Sequence, residues 1–109
     1  MNHTPVSTVS IVLTTLGADA DAAAIARTLI DERLAACVNI LPPMASVYRW
    51  QGKVEQDREQ QIVIKTAQDR VRALQARLRE LHPYELPEFL VLDATASEAY
   101  FAWVEESAK

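Results

Sequence analysis

The 109-residue chain predicts an α+β fold, in which helices cover one face of an antiparallel sheet. Apolar residues alternate with a period of two in some segments and recur every three or four residues in others. Half of the residues are hydrophobic and only 2 are glycine, a composition typical of an ordered globular protein. A chain of this length buries enough surface for one core, so we expect a single domain over residues 1–109.

The first predicted strand covers residues 7–15, where apolar side chains alternate with serine and threonine. Gly17 breaks this strand, and either Asp19 or Asp21 can cap the helix that follows it. An alanine-rich segment then continues at helical spacing as far as Arg33.

A long β-hairpin follows, with extended arms over residues 36–50 and 53–66 joined by Gln51 and Gly52. The prolines of the 42–43 pair cannot donate ladder hydrogen bonds, so this arm must be bulged or lie at an edge there. Arms of about 15 residues extend ~50 Å. Since a domain of about 100 residues has a radius of gyration of only ~13 Å, part of the hairpin must overhang.

The predicted overhang carries apolar side chains, Val47, Tyr48, Trp50 and Val54. Such residues on an exposed two-stranded ribbon form an adhesive edge, and a ribbon of this kind is marginally stable alone. We therefore expect a homo-oligomer with closed cyclic symmetry, in which each hairpin extends the sheet of a neighbouring subunit.

The second half of the chain predicts a helix, a strand and a last helix. Thr66 and Asp69 resemble the capping box of a helix that Pro83 ends. One face of this helix is traced by Val71, Leu74, Leu78 and Leu81. Residues 88–95, "EFLVLDAT", predict a central strand covered on at least one side, and Ser97 can cap the final helix. The resulting order, βαββαβ and a C-terminal helix, indicates a ferredoxin-like fold.

Charge and composition exclude several classes of function. The net charge of -4 and the lack of a cationic cluster on one surface give no reason to bind nucleic acid or an anionic membrane. No apolar stretch approaches the ~20 residues that cross a bilayer, and the first residues lack a basic leader, so we expect a cytoplasmic protein. Cys37, the single cysteine, cannot form an intrachain disulfide and suits a small buried position.

The segment "HPYELPE", residues 82–88, is the strongest candidate site because His82, Glu85 and Glu88 recur at intervals of three. Imidazole and carboxylates can hold a divalent metal ion. The same residues also suit a structural role, with an imidazolium at a helix C-terminus, solvated glutamates and prolines that fix the turn. Glu59 and Lys65 project from one strand face, either as ligand-binding groups or as surface charges.

Several segments together resemble the CutA family, the divalent-cation tolerance proteins. They are "ERLAACVNILP" at 32–42, "SVYRWQGK" at 46–53, Glu59 with "IKT" at 64–66, "HPYELPE" at 82–88 and "YFAW" at 100–103. The resemblance implies a ferredoxin-like homotrimer whose long hairpins pair between subunits, similar in architecture to PII signalling proteins. It also implies a cytoplasmic role in tolerance of copper and other divalent metals, without a settled catalytic activity, so we expect no enzyme.

The resemblance further implies metal ligation by His82 and Glu88, together with a cysteine near the end of the first strand. This chain has Thr14 at that position, and a hydroxyl is a poorer copper ligand than a thiolate. We therefore expect copper or another divalent metal ion to bind weakly. One alternative is a PII-like trimer that binds a small molecule and relays the signal to an unknown protein partner. Another is a hydrolase with His82 as the base and Glu88 as its orienting residue.

Overall fold

The structure, a computed structural model, describes residues 7–109 and shows one antiparallel sheet with helices packed against it. Within this range the elements are β1 (Thr8–Gly17), α1 (Ala22–Asp31), β2 (Cys37–Ile40), β3 (Met44–Trp50), β4 (Lys53–Thr66), α2 (Val71–Leu81), β5 (Leu90–Thr95) and α3 (Glu98–Ser107). A short 3-10 turn, Gln68–Arg70, leads into α2. The predicted α+β class, the long hairpin and the C-terminal helix are confirmed.

The strands lie in the order β2-β4-β1-β5, and β3 also pairs with β4. Val12 of β1 pairs with Ile64 of β4 on one side and with Val91 of β5 on the other. The prediction of a central strand over residues 88–95 is wrong, because among residues 7–109 β5 pairs with β1 alone, and Leu90 and Leu92 are exposed. A short apolar run fits a central strand, but it equally fits an edge strand with an apolar face that is exposed in the single chain.

The main core lies between the sheet and the first two helices. Its buried residues include Val12 and Leu16 of β1, Ile62 and Ile64 of β4, Leu29 of α1, and Leu74 and Leu78 of α2. The apolar face predicted for the second helix is therefore confirmed. On β1, the side chains that are buried on the side of this core are Ser10, Val12, Thr14 and Leu16. Ile11 and Leu13 are half-buried on the opposite side of the strand.

The last helix packs in a second cluster, where Val104 and Ala108 contact Val9 and Ala36. Ser97 caps α3 by accepting from the backbone N–H of Tyr100, as predicted.

The capping predictions for the first two helices have different outcomes. Asp21 caps α1 by accepting from the N–H of Ala24 at 3.1 Å. The capping box predicted at Thr66 is wrong, because Thr66 pairs with Ser10 inside the sheet and its hydroxyl donates to the Leu34 carbonyl at 2.8 Å. Strand pairing thus extends to the residue expected to start the helix.

The hairpin turns where predicted, and both turn residues adopt the left-handed region, with φ of 51° at Gln51 and 82° at Gly52. Residues 41–43, with both prolines, separate β2 from β3 and leave these strands at the sheet edge, as expected. β4 is longer than its neighbour: β1 pairs with Glu59–Thr66, whereas Lys53–Arg58 pairs with β3 alone. The protein therefore extends 54 Å along its long axis against 32 and 23 Å across, which confirms the overhang.

Candidate functional site

An open groove of about 920 Å³ lies between the hairpin and the turn formed by residues 82–88. Its wall carries four carboxylates, Asp57, Glu59, Glu85 and Glu88, and three aromatic rings, Tyr48, Trp50 and Tyr84. Among the described residues, no lysine or arginine lines it. We call this the acidic groove. It forms because α2 ends before Pro83, and residues 83–88 then line one groove with residues of β3 and β4.

His82 is buried at the edge of this region and uses both ring nitrogens within the protein. Its Nδ1 accepts from the backbone N–H of Tyr84 at 3.1 Å. Nε2 therefore carries the ring hydrogen and donates to the carbonyl of Thr15 at 2.6 Å. These two bonds fasten the turn to β1, so metal ligation by His82 requires that one of them be given up.

Glu88 is half-buried and is held by Gln61 of β4. The amide nitrogen of Gln61 donates to Oε2 of Glu88 at 3.0 Å and to the Thr14 carbonyl at 2.7 Å. The other oxygen of Glu88 has no hydrogen-bond partner in the described range, and the residue lines the acidic groove. Glu88 is consequently oriented by one contact while retaining an acceptor that can bind a ligand.

Thr14 lies beside His82, since both line a small cavity of about 10 Å³ on the helix side of the sheet. Its hydroxyl is the one buried side-chain polar atom within residues 7–109 that lacks a hydrogen-bond partner. Glu88 instead lines the acidic groove, and its link to Thr14 and His82 runs through Gln61 and the backbone carbonyls of Thr14 and Thr15. Across the described residues, however, no three His, Cys, Asp or Glu side chains are arranged to hold a metal ion.

Two tyrosine–carboxylate pairs lie along the groove. Tyr84 donates to Oε2 of Glu59 at 2.7 Å, and burial together with this bond raises the pKa of Tyr84 above its usual value. Tyr48 donates to Asp57, which raises the pKa of Tyr48 to about 12. Both phenols therefore stay protonated at neutral pH and serve as hydrogen-bond donors.

Sequence reasoning identified some of these residues and missed others. Glu59 lines the groove, whereas Lys65, predicted on the same strand face, lies farther along β4 opposite Cys37. Asp57 and Gln61 were missed, although their two-residue spacing from Glu59 places all three on one face of the strand. Cys37 is half-buried, with its thiol 3.8 Å from the side-chain oxygen of Asn39.

The fold and groove define a small α+β protein with a PII-like architecture and a protruding hairpin. Residues 10–107 match the family described as CutA1 divalent ion tolerance protein. Because this match spans nearly the whole sequence, the chain belongs to the CutA1 family, which confirms the resemblance seen in its motifs. Within the described residues, no helix has the length and hydrophobicity required to cross a membrane.

Individual relatives agree with this assignment. The divalent-cation tolerance protein CutA of Thermus thermophilus is 42% identical over 98 residues, covering 89% of this chain and 95% of the relative. The solved structure of the CutA1 protein from that organism matches with a TM-score of 0.87 at 40% identity, covering 93% and 99% of the two chains. The PII-like protein CutA from Nostoc sp. PCC 7120, in apo form, matches with a TM-score of 0.85 at 35% identity, covering 92% and 97%.

Proposed function

We propose that this chain, as one domain over residues 1–109, forms a cytoplasmic homotrimer that binds copper or another divalent metal ion in the response to metal ions. The observation that carries the proposal is the acidic groove, which four carboxylates line without a lysine or arginine along the described wall. A concave surface with one sign of charge concentrates counter-ions of the opposite sign. Membership of a divalent ion tolerance family supports a cation as that counter-ion.

Glu88 is the best-supported metal ligand in the groove, because Gln61 orients one oxygen and leaves the other without a described partner. The prediction that His82 joins it remains a proposal. Imidazole suits copper and zinc, but the ring must first release Tyr84 or Thr15. With Thr14 in place of a thiolate, the donor set fits a weak site. Protons compete for these ligands, so binding should weaken at low pH.

The trimer is supported by apolar surface that the single chain leaves uncovered. Leu90 and Leu92 are exposed on β5, and Val47 and Val54 are about two-thirds exposed on the hairpin. Within the described residues, one edge of β3 is unpaired as well. Closed cyclic association would cover these apolar side chains and pair the edge, which agrees with the extended hairpin.

We assign no catalytic activity to the site. The hydrolase alternative requires Glu88 to orient His82 through a hydrogen bond. In the structure His82 instead contacts Thr15 and Tyr84, while Glu88 contacts Gln61. This arrangement supports a binding site in which His82 holds the turn in place.

Titration calorimetry of the purified protein with Cu²⁺ and Zn²⁺ tests the metal proposal. Glu88→Gln keeps the size of the side chain and should weaken metal binding by about tenfold or more, because a charged ligand is lost. Glu98→Gln, on the exposed start of α3, removes the same charge outside the groove and is the control.

The role of His82 requires a separate comparison. His82→Asn, which retains hydrogen-bonding groups, should weaken metal binding if the ring ligates and should only lower stability if the ring fastens the turn. Absence of metal binding by the wild-type protein, or equal effects of Glu88→Gln and Glu98→Gln, would contradict the proposal of a metal site in the groove.

A second candidate function is small-molecule binding, with the resulting signal relayed to a protein partner. The groove has the volume of typical ligand pockets, ~300–1,000 Å³, and combines apolar rings with convergent polar groups. Similarity to the Nostoc protein named as PII-like supports the same candidate. Here a metal ion would be incidental, and the ligand would occupy the space beside Glu59 and Tyr84.

A further inference from the structure

Glu59 has an unusual environment for a carboxylate in the acidic groove. The residue is only 8% exposed, and no lysine or arginine forms an ion pair with it among the described residues. Oε2 accepts from the Tyr84 hydroxyl. Oε1 has no hydrogen-bond partner within that range and is not a buried atom, so it is open to the groove. A cation in the groove can therefore bind Oε1 directly and form a charge-assisted hydrogen bond.

The surroundings of Glu59 indicate what kind of cation fits. Tyr48, Trp50 and Tyr84 line the same groove, and aromatic rings offer both an apolar surface to methylene groups and an attractive face to ammonium groups. Asp57 and Glu88 add further carboxylates along the wall. Carboxylates distributed along the groove wall match a linear molecule with several ammonium groups better than they match one compact ion. No three metal-ligating side chains in residues 7–109 converge on a point, which agrees with this distinction.

We propose that the acidic groove binds an aliphatic polyamine, with one ammonium group on the unpartnered oxygen of Glu59 and the chain lying against the aromatic rings. This inference rests on the small-molecule candidate above and gives that candidate a chemical class. Methylene groups contact the rings of Trp50 and Tyr84, while the remaining ammonium groups pair with Asp57 and Glu88. Tyr84, kept protonated by burial and by Glu59, holds the carboxylate in place.

Calorimetric titration with spermidine at low and at physiological ionic strength tests the proposal. Glu59→Gln can still accept from Tyr84 and should weaken spermidine binding by about tenfold or more, since one charge-assisted hydrogen bond is lost. Glu98→Gln removes the same charge from an exposed site on α3 and should leave binding within about twofold, because an exposed distant charge is screened.

Tryptophan fluorescence supplies a second readout, because the chain has only 2 tryptophans, Trp50 and Trp103. Trp103→Leu leaves Trp50 as the sole tryptophan, so spermidine should change the fluorescence of this variant. Trp50→Leu should weaken binding by about threefold, because the methylene groups lose part of their apolar contact with the indole ring. Sedimentation of each variant verifies that its assembly state is that of the wild type.

Two outcomes would overturn the inference. One is that spermidine does not bind at millimolar concentration and low salt. The other is that Glu98→Gln weakens binding as much as Glu59→Gln, which would indicate attraction to net charge alone.

Failure of this inference is distinguishable from failure of the functions proposed above. If a neutral ligand such as adenosine binds in the groove and spermidine does not, the small-molecule candidate stands without the polyamine assignment. If Cu²⁺ binds through Glu88 and spermidine does not bind, the metal function stands while this inference is wrong. If spermidine binds in a Glu59-dependent manner and metals do not, the polyamine assignment stands and the metal function is wrong.

Discussion

The two ends of β4 have opposite environments. Its C-terminal half lies between β1 and β2, where Ile62 and Ile64 are buried beneath the first two helices. Its N-terminal half pairs only with β3 and carries the exposed Val54. The first region has its own core, whereas the apolar side chains of the second are exposed in the single chain. The same strand therefore connects a region with its own hydrophobic core to an exposed region that suits assembly and binding.

The largest change in the free energy of unfolding should come from a substitution in the region that has its own core. Leu74 is fully buried in the core, so Leu74→Ala should lower the free energy of unfolding by about 3 kcal/mol through lost burial and a cavity. Val54→Ala is the hairpin control, and its direct effect on subunit stability should be within about 0.5 kcal/mol. Urea unfolding measures both variants. Equal losses would contradict the division of β4 into two environments.

Assembly of the trimer should depend on the exposed side of the hairpin. Val47 is about two-thirds exposed on the hairpin and does not line the groove, so Val47→Asp should shift the trimer to smaller species. A buried charge at a subunit contact is costly. Ile30→Asp places the same charge on the exposed side of α1 and should leave the trimer intact. Analytical ultracentrifugation distinguishes them; a wild-type monomer at micromolar concentration would contradict the trimer.

Thr14 allows a smaller test at the boundary between the two regions. Its buried hydroxyl lacks a partner in the described range, so the nearly isosteric Thr14→Val should raise the free energy of unfolding by about 1 kcal/mol. A decrease in urea-unfolding stability would show that the hydroxyl does have a partner. Thr14→Cys should in addition tighten copper binding, since it places a soft ligand beside His82.

The smallest effect should appear at alkaline pH. Burial and the bond to Glu59 raise the pKa of Tyr84, so the folded state favours the protonated phenol. This stabilisation is fully present below the unfolded pKa of ~10 and is lost as pH rises through the higher folded pKa. Tyr84→Phe should therefore reduce the loss of stability above pH ~10. An unchanged alkaline profile from thermal unfolding would contradict the shift.

Local patterns predicted several features in both regions. The spacing of Leu74 and Leu78 and the turn at Gln51 and Gly52 depend on neighbours in sequence, and the structure confirms them. Of the two caps proposed for the first helix, Asp19 or Asp21, the structure has Asp21. The capping role of Thr66 and the central position of the strand Leu90–Thr95 were predicted incorrectly, because strand pairing and the covering of each sheet face decide them. Such contacts are distant in sequence and leave little local pattern.

The candidate site was predicted in part for the same reason. The motif at residues 82–88 identified His82 and Glu88, but not the hydrogen bonds that give them different roles. Gln61 and Asp57 belong to the groove because the fold brings this part of β4 and the turn at residues 82–88 to the same groove. The alternation along that strand could have grouped them with Glu59. Their proximity to Tyr84 in the groove could be seen only in the tertiary structure.

An anomalous difference map from crystals of the trimer soaked with Cu²⁺ tests the central proposal most directly. We expect a peak in the acidic groove, bonded to the oxygen of Glu88 that faces away from Gln61, and no such peak in Glu88→Gln crystals. Spermidine should reduce this peak if both cations share the groove. A copper peak confined to other surfaces, with the groove empty at concentrations that saturate binding in solution, would contradict the assignment of metal binding to this site.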